Sequence, residues 1–271
     1  MTIEERFLDR FSGLSRAHGQ YKERGTTNAR GKLGGHANTV REPITLDLWK
    51  GHLAGKLGIG IVPIRDDATV RFGAIDIDEY KGDLKELSKA LVERELPLIL
   101  CRSKSGGAHL YLFASEDLPA KIVRKKLMEW SLVLGYSGVE VFPKQTRLAG
   151  DNDFGNWINM PYFRATDTNR YALYDGKALN AEEFLDLADL MAVDLESLEE
   201  RVIPISKDVQ DYLVEAPPCL QHLAQQRGFG EGSRNNGLFN IGVYLRKRYG
   251  DDFWEDKLDE YNSKFLDPPL G

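Results

Sequence analysis

Cysteine is nearly missing from this chain: Cys101 and Cys219 are the only two in 271 residues, and no CxxC spacing exists. That excludes a disulfide framework and the zinc sites built on paired thiolates. No apolar run reaches the length needed to span a bilayer, and the first residues carry no signal-peptide pattern, so a cytoplasmic location is expected. Positive charge is also in deficit. The formal net charge is −6, so a nucleic-acid partner has to be held by a local basic patch. One such patch is present: residues 12–41 hold Arg16, Lys22, Arg24, Arg30, Lys32 and Arg41 against Glu23 alone. Hydrophobic residues at 42% and aromatics at 10% supply a packed core and rule out global disorder.

The pattern along the chain mixes strands and helices. Residues 2–14 read as a short amphipathic helix, and residues 43–53 as another with Thr45 as its cap. Between them, residues 15–39 are rich in glycine, basic and polar residues and read as a loop that could contact phosphates. LGIGIVPI (57–64) and residues 70–78 read as two strands of a hairpin turning at Arg65-Asp66-Asp67. A helix over 84–93, strands over 98–102, 108–113 and 138–142, and a helix over 120–134 follow. Then come an apolar segment (155–163), an edge strand (170–174) and an acidic, leucine-rich helical stretch (181–200). Without strict βαβ alternation, this predicts an α+β fold with a mixed or antiparallel sheet. Proline at 204, 217 and 218 marks a linker over 203–218, after which residues 219–271 are purely helical in pattern. The domains expected are therefore 1–202 and 219–271, and the final PPLG reads as a cut in the linker of a longer parent protein.

The chemistry concentrates in FGAIDIDEY (72–80). On a strand, Asp76 and Asp78 point the same way, while Ile75 and Ile77 enter the core. Two carboxylates about 7 Å apart repel unless a cation lies between them, and magnesium or manganese suits such hard oxygen donors. The bland alternative is a strand edge whose acids face water. His109 opens a second strand after a Ser/Gly loop, and Glu140 lies on a third. Three carboxylates could hold two divalent ions for in-line displacement at phosphorus. Ser103, Lys104, Ser105, Gly106 and Gly107 could cradle phosphate oxygens, with His109 as a further donor. Arg102, Lys144 and Gln145 are additional candidates for phosphate or template contacts.

In order and spacing, IDID (75–78), SGGAHL (105–110) and VEVFPKQ (139–145) resemble the three motifs of archaeo-eukaryotic-type primases. Within that superfamily the chain is most similar to the primase-polymerase domains of phages, plasmids and other mobile elements. The resemblance covers roughly residues 40–180. GN (155–156) to MPY (160–162) matches a segment that often follows the third motif, and residues 232–245 resemble the helical domain that often follows the catalytic one. It implies a sheet with an RRM-like core followed by a small all-α domain. It implies metal binding by Asp76, Asp78 and Glu140, and contact of His109 with an incoming triphosphate. The expected activity is DNA-directed primase-polymerase synthesis on single-stranded DNA from nucleoside triphosphates, using two Mg²⁺ or Mn²⁺ ions, with a helicase domain or partner beyond. Two departures stand out: Gly107 occupies a place where the family often has serine, and the third acid is glutamate rather than the commoner aspartate. The alternatives are a non-catalytic nucleic-acid-binding initiator module and a two-metal nuclease.

Overall fold

Two phenylalanines decide where the core of the first unit lies. Thr2 caps helix α1 (Ile3–Arg10): its hydroxyl accepts the Glu5 amide while the Glu5 carboxylate takes the Thr2 amide, which satisfies two orphan donors at once. The helix then buries Phe7 and delivers Phe11 at its C-cap, both fully buried. Phe11 meets the rings of Phe72, Tyr111 and Phe113 edge-on at 5.1 to 5.3 Å, the geometry that ring quadrupoles favour. Helix α2 (Leu46–Leu53) starts at the expected cap, with the Thr45 side chain accepting the Leu48 amide, and stacks Trp49 on Phe7 at 5.1 Å.

This computed structural model describes residues 1–27, 33–78, 83–134, 136, 139–201, 213, 216–221, 229, 232–249, 254–266 and 268–270. In chain order the strands are β1 (His18–Thr27), β2 (Leu33–Val40), β3 (Gly58–Ile61), β4 (Thr69–Ile77), β5 (Ile99–Arg102), β6 (Ala108–Pro119), β7 (Glu140–Phe142), β8 (Ile158–Asn159), β9 (Ala172–Tyr174) and β10 (Lys177–Leu179). The remaining helices before residue 201 are α3 (Leu84–Glu93), α4 (Ala120–Val133), α5 (Ala181–Leu190) and α6 (Leu195–Glu200). One sheet runs β2-β1-β3-β8 and the other β10-β9-β5-β6-β4-β7, with antiparallel neighbours throughout. The fold is α+β, as the sequence pattern requires.

Three expectations are corrected. Residues 15–39 are not a loop: β1 and β2 pair from His18↔Val40 to Thr27↔Leu33, with residues 28–32 outside the described residues. The two strands expected to form a hairpin do not pair. β3 joins β1 and β8, whereas β4 joins β6 and β7. β3 is buried throughout and β4 from Phe72 to Ile75, and each has neighbours on both sides drawn from elsewhere in the chain. Finally, β9 is not an edge strand, because β10 covers it.

Both faces of the six-stranded sheet are covered. Phe72, Ala74, Ile99, Tyr111, Phe113 and Phe142 face the aromatic core with Phe11, Trp49 and Tyr162. On the opposite face α4 packs so closely that Val123 and Leu127 leave no room for a side chain at Gly73. The first unit comprises Met1–Leu127 with Glu140–Glu200; the second comprises Met128–Val139 with Arg201–Gly271. In the second, helices Arg234–Tyr249 and Trp254–Phe265 contribute Ile241, Leu245, Tyr261 and Phe265 to a core with Leu220 and Phe229. Of the expected linker, only 213 and 216–218 are described. No helix among the described residues is long and apolar enough to cross a membrane.

Candidate functional site

Along the aromatic face of the large sheet, rings give way to acids. Register aligns Ala172, Cys101, His109, Asp76 and Glu140 side by side on β9, β5, β6, β4 and β7. Directly opposed residues of antiparallel strands point to the same side, so Asp76 stands between His109 and Glu140 on one face. The row behind them, Ile99, Tyr111, Ala74 and Phe142, is core. Asp78 follows one residue past the end of β4 and is exposed.

A chain of contacts orients His109. Its Nε2 lies 3.3 Å from Asp76 Oδ1, and its Nδ1 lies 3.1 Å from the Tyr111 hydroxyl, which donates to the Asn159 carbonyl at 2.9 Å. Burial, reinforced by the neighbouring Cys101 and Asp76, holds the Tyr111 phenol well above its ordinary pKa. Its proton therefore stays on oxygen and points at Asn159. The His109 contact is then Nδ1–H donating to the phenol oxygen, which leaves Nε2 facing the carboxylate.

Glu140 faces the same side as Asp76, yet its Oε1 is taken by Lys144 Nζ at 2.6 Å, and the Lys144 carbonyl accepts Arg124 Nε at 3.0 Å. The side chains thus stand as two pairs, Asp76 with His109 and Glu140 with Lys144. Among the described residues, no three His, Cys, Asp or Glu side chains are gathered to hold a metal ion. The donor types suit a hard divalent cation, but with Lys144 on Glu140 the three carboxylates are not assembled as one set.

The loop between β5 and β6 is the tight turn read from SKSGG. Ser103 N donates to Gly107 O at 2.8 Å and Gly106 N to Ser103 O at 3.2 Å, so the Gly106 amide is committed within the turn. Ser103 is buried with its hydroxyl 3.3 Å from that of Ser105. Gly107 has a steric reason to be glycine. A Cβ there would sit 2.0 Å from Ile77 O and 2.7 Å from Asp78 O, so the loop is wedged against the backbone that carries the acids. Serine, common at this place in the resembling family, does not fit here. Arg102 Nη1 donates to Asn169 O at 3.0 Å, and Lys104 Nζ rests 3.2 Å from the centroid of the Tyr21 ring.

Sequence reasoning missed Tyr21, Tyr111 and Asn159 as members of this network. Only the alternation of His109, Tyr111 and Phe113 hinted that the tyrosine shares the histidine's face. Gln145, flagged in the sequence, donates through Nε2 to Asn156 Oδ1 at 2.7 Å. A cavity of about 560 Å³ bordered by Glu5, Leu8, Asp9, Pro43 and Ile44 lies elsewhere and contains none of these residues.

Residues 12–192 match the family described as the archaeo-eukaryotic primase domain of the TOTE conflict system. Among solved structures, the chain is similar to the archaeo-eukaryotic primase domain of the cyanophage S-2L primase-polymerase, at 12% identity and a TM-score of 0.34, over 64% of this chain and 89% of that one. It is also similar to the primase RepB', at 14% identity and a TM-score of 0.32, over 96% and 93%. No curated protein matches the sequence.

Proposed function

The chain belongs to the archaeo-eukaryotic primase domain family of TOTE conflict systems, and on that premise we propose that it is a nucleotidyltransferase that starts and extends chains on single-stranded DNA from nucleoside triphosphates. The observation that carries this reading is the row that sets Asp76 between His109 and Glu140, beside a Ser-Lys-Ser-Gly-Gly turn packed against the same strand end. Asp76, Asp78 and Glu140 are the residues that would hold magnesium or manganese. Such ions, when bound, would supply activation of a 3′-hydroxyl and neutralise polyphosphate charge. The rest belongs to side chains already in place. Lys104 and the Ser105 hydroxyl meet phosphate oxygens, and His109, held through Nδ1–H by Tyr111, would donate to the same group from Nε2–H in its protonated form. Lys144 has two anions to serve, Glu140 in this structure and a phosphate when one arrives. By the same reading, the helical unit assists in holding template.

A primer-synthesis assay on unprimed single-stranded DNA, with ribo- or deoxyribonucleotides and with magnesium or manganese, tests the proposal. Synthesis should appear in the native chain and fall by more than about a hundredfold in Asp76→Ala. A folded Asp76→Ala enzyme with full activity would remove the assignment. The pairing of Glu140 with Lys144 favours one second reading, a non-catalytic nucleic-acid-binding module whose acids are internally neutralised. That module would bind single strands without metal and incorporate no labelled nucleotide.

A further inference from the structure

Lys104 is held by a residue of the other sheet. Its Nζ lies over the Tyr21 ring, 3.2 Å from the centroid. Tyr21 belongs to β1 of the four-stranded sheet, whereas Lys104 sits in the turn that joins β5 to β6 of the six-stranded one. Tyr21 is buried, and the ladder sets Ala37 of β2 and Gly58 of β3 directly opposite it. Directly opposed residues share a face, and neither a methyl group nor a hydrogen is long enough to cover a phenol ring. At Gly58 even a Cβ would lie 3.1 Å from Tyr21 O and 3.6 Å from Tyr21 Cβ. Small neighbours on both sides leave a face of the ring to the lysine.

The kind of partner decides what becomes of the charge. Lys144, the other lysine at the site, is met by Glu140 at 2.6 Å, a contact that orders the ammonium and cancels its charge together. Among the described residues, no carboxylate pairs with Lys104. A ring quadrupole attracts an ammonium without neutralising it. It also engages one side only, so N–H groups remain for an acceptor. Ordering a lysine costs rotamer freedom, and on Tyr21 that cost is incurred before any anion arrives, which is how preorganisation raises affinity. Other donors of the turn are committed: the Ser103 and Gly106 amides bond within it, and the buried Ser103 hydroxyl lies 3.3 Å from that of Ser105. Through Gly107 the same turn is wedged against the backbone of Ile77 and Asp78, so Lys104 is carried by a segment fixed to the strand end that bears the acids.

We propose that Tyr21 is a positioning residue for nucleotide binding: the face of its ring holds the Lys104 ammonium, with its charge intact, for the polyphosphate of an incoming nucleoside triphosphate. This rests on the reading that nucleotides bind beside Asp76 and His109 with Lys104 on phosphate. Tyr21 itself touches no phosphate and acts through the lysine alone.

A double-mutant cycle on the full chain tests this, with inorganic tripolyphosphate and a non-hydrolysable nucleoside triphosphate as calorimetric probes. Tyr21→Leu should weaken both probes about tenfold, and Tyr21→Phe, which keeps the ring, should bind as the native chain does. Lys104→Ala should weaken both at least as much as Tyr21→Leu, and adding Tyr21→Leu to it should cost nothing further, because the ring then has no ammonium to hold. Additive losses, a phenylalanine variant as weak as the leucine one, or an undiminished leucine variant overturn the positioning role. If Tyr21→Leu does not fold, phenylalanines bearing one, two or three fluorines at position 21 decide, since fluorine drains the negative ring face with little change in size. Affinity should then fall stepwise with fluorine count when Lys104 is present and stay level in Lys104→Ala. A level series with Lys104 present overturns the proposal. Native protein that binds neither probe overturns the reading of the site, and the role of Tyr21 with it. Native protein that binds both, with Lys104→Ala undiminished, overturns the role of Tyr21 while nucleotide binding at the site stands.

Discussion

His52 shows how one side chain takes its chemistry from what surrounds it. It is fully buried on α2, its Nε2 donates to the Pro161 carbonyl at 2.8 Å, and its Nδ1 accepts the Ile59 amide at 3.2 Å. Burial pulls its pKa from 6.5 to about 4, with Arg170 adding to the effect and the Pro161 carbonyl opposing it. Between those values the unfolded chain holds a proton that the folded one refuses. The stability this residue supports is therefore complete above pH 6.5, declines as pH falls towards 4, and is gone below, a span of about 3 kcal/mol. Urea midpoints measured from pH 7.5 to 4 should fall in that window, and His52→Gln should lose this share of the slope. An equal slope in both proteins would assign the acid sensitivity elsewhere. The sequence offers His52 only as one residue of an amphipathic helix. Asp76, His109 and Glu140 were legible because short motifs mark them; that Glu140 would be met by Lys144, and His109 by Tyr111, was not.

The loop Ser103–Gly107 is legible as a turn from composition alone, because Ser and Gly cluster between two alternating strands. Its docking is not. The carbonyls that crowd Gly107 belong to Ile77, the last residue of β4, and to Asp78 just after it, and backbone cannot yield without shifting the strand that carries Asp76. Gly107→Ala should lower the free energy of unfolding by about 1–3 kcal/mol and weaken nucleotide binding, while Ser105→Ala leaves stability unchanged. Thermal unfolding with nucleotide titration checks both, and a fully stable Gly107→Ala variant would mean that the loop is not wedged. The hairpin of β1 and β2 was misread for a related reason. Gly19 stands where a strand facing a core would show a large apolar side chain, because Trp157 fills that space from the position just before β8. Period-2 hydrophobicity disappears when the filling ring comes from another strand.

For the molecule as a whole, the balance of charge decides how a polyanion can be met. At a net charge of −6, affinity for single strands must come from confined basic stretches such as residues 12–41. Binding should therefore weaken steeply between 50 and 200 mM salt. Replacing Lys22 and Arg24 together by alanine should reduce the log–log salt slope by about 1.4 if both contact phosphate. Fluorescence anisotropy over that range measures it, and an unaltered slope would place the phosphate contacts outside this segment.

The sequence by itself determined the local periods and their punctuation: the Thr45 cap, the helix over 84–93, the alternation of AHLYLF and of IDID, and so the α+β class and the three motif strands. Those features depend on residues within a turn or a strand of one another, which is the range over which side-chain spacing acts. Only the tertiary structure decided that β4 leaves β3 for β6 and β7 and so sets Asp76 between His109 and Glu140. It also decided that the indole of Trp157, just ahead of β8, rests on glycines of β1 and β3. Those neighbours are chosen by packing between segments distant in the chain, and period alone does not encode a partner.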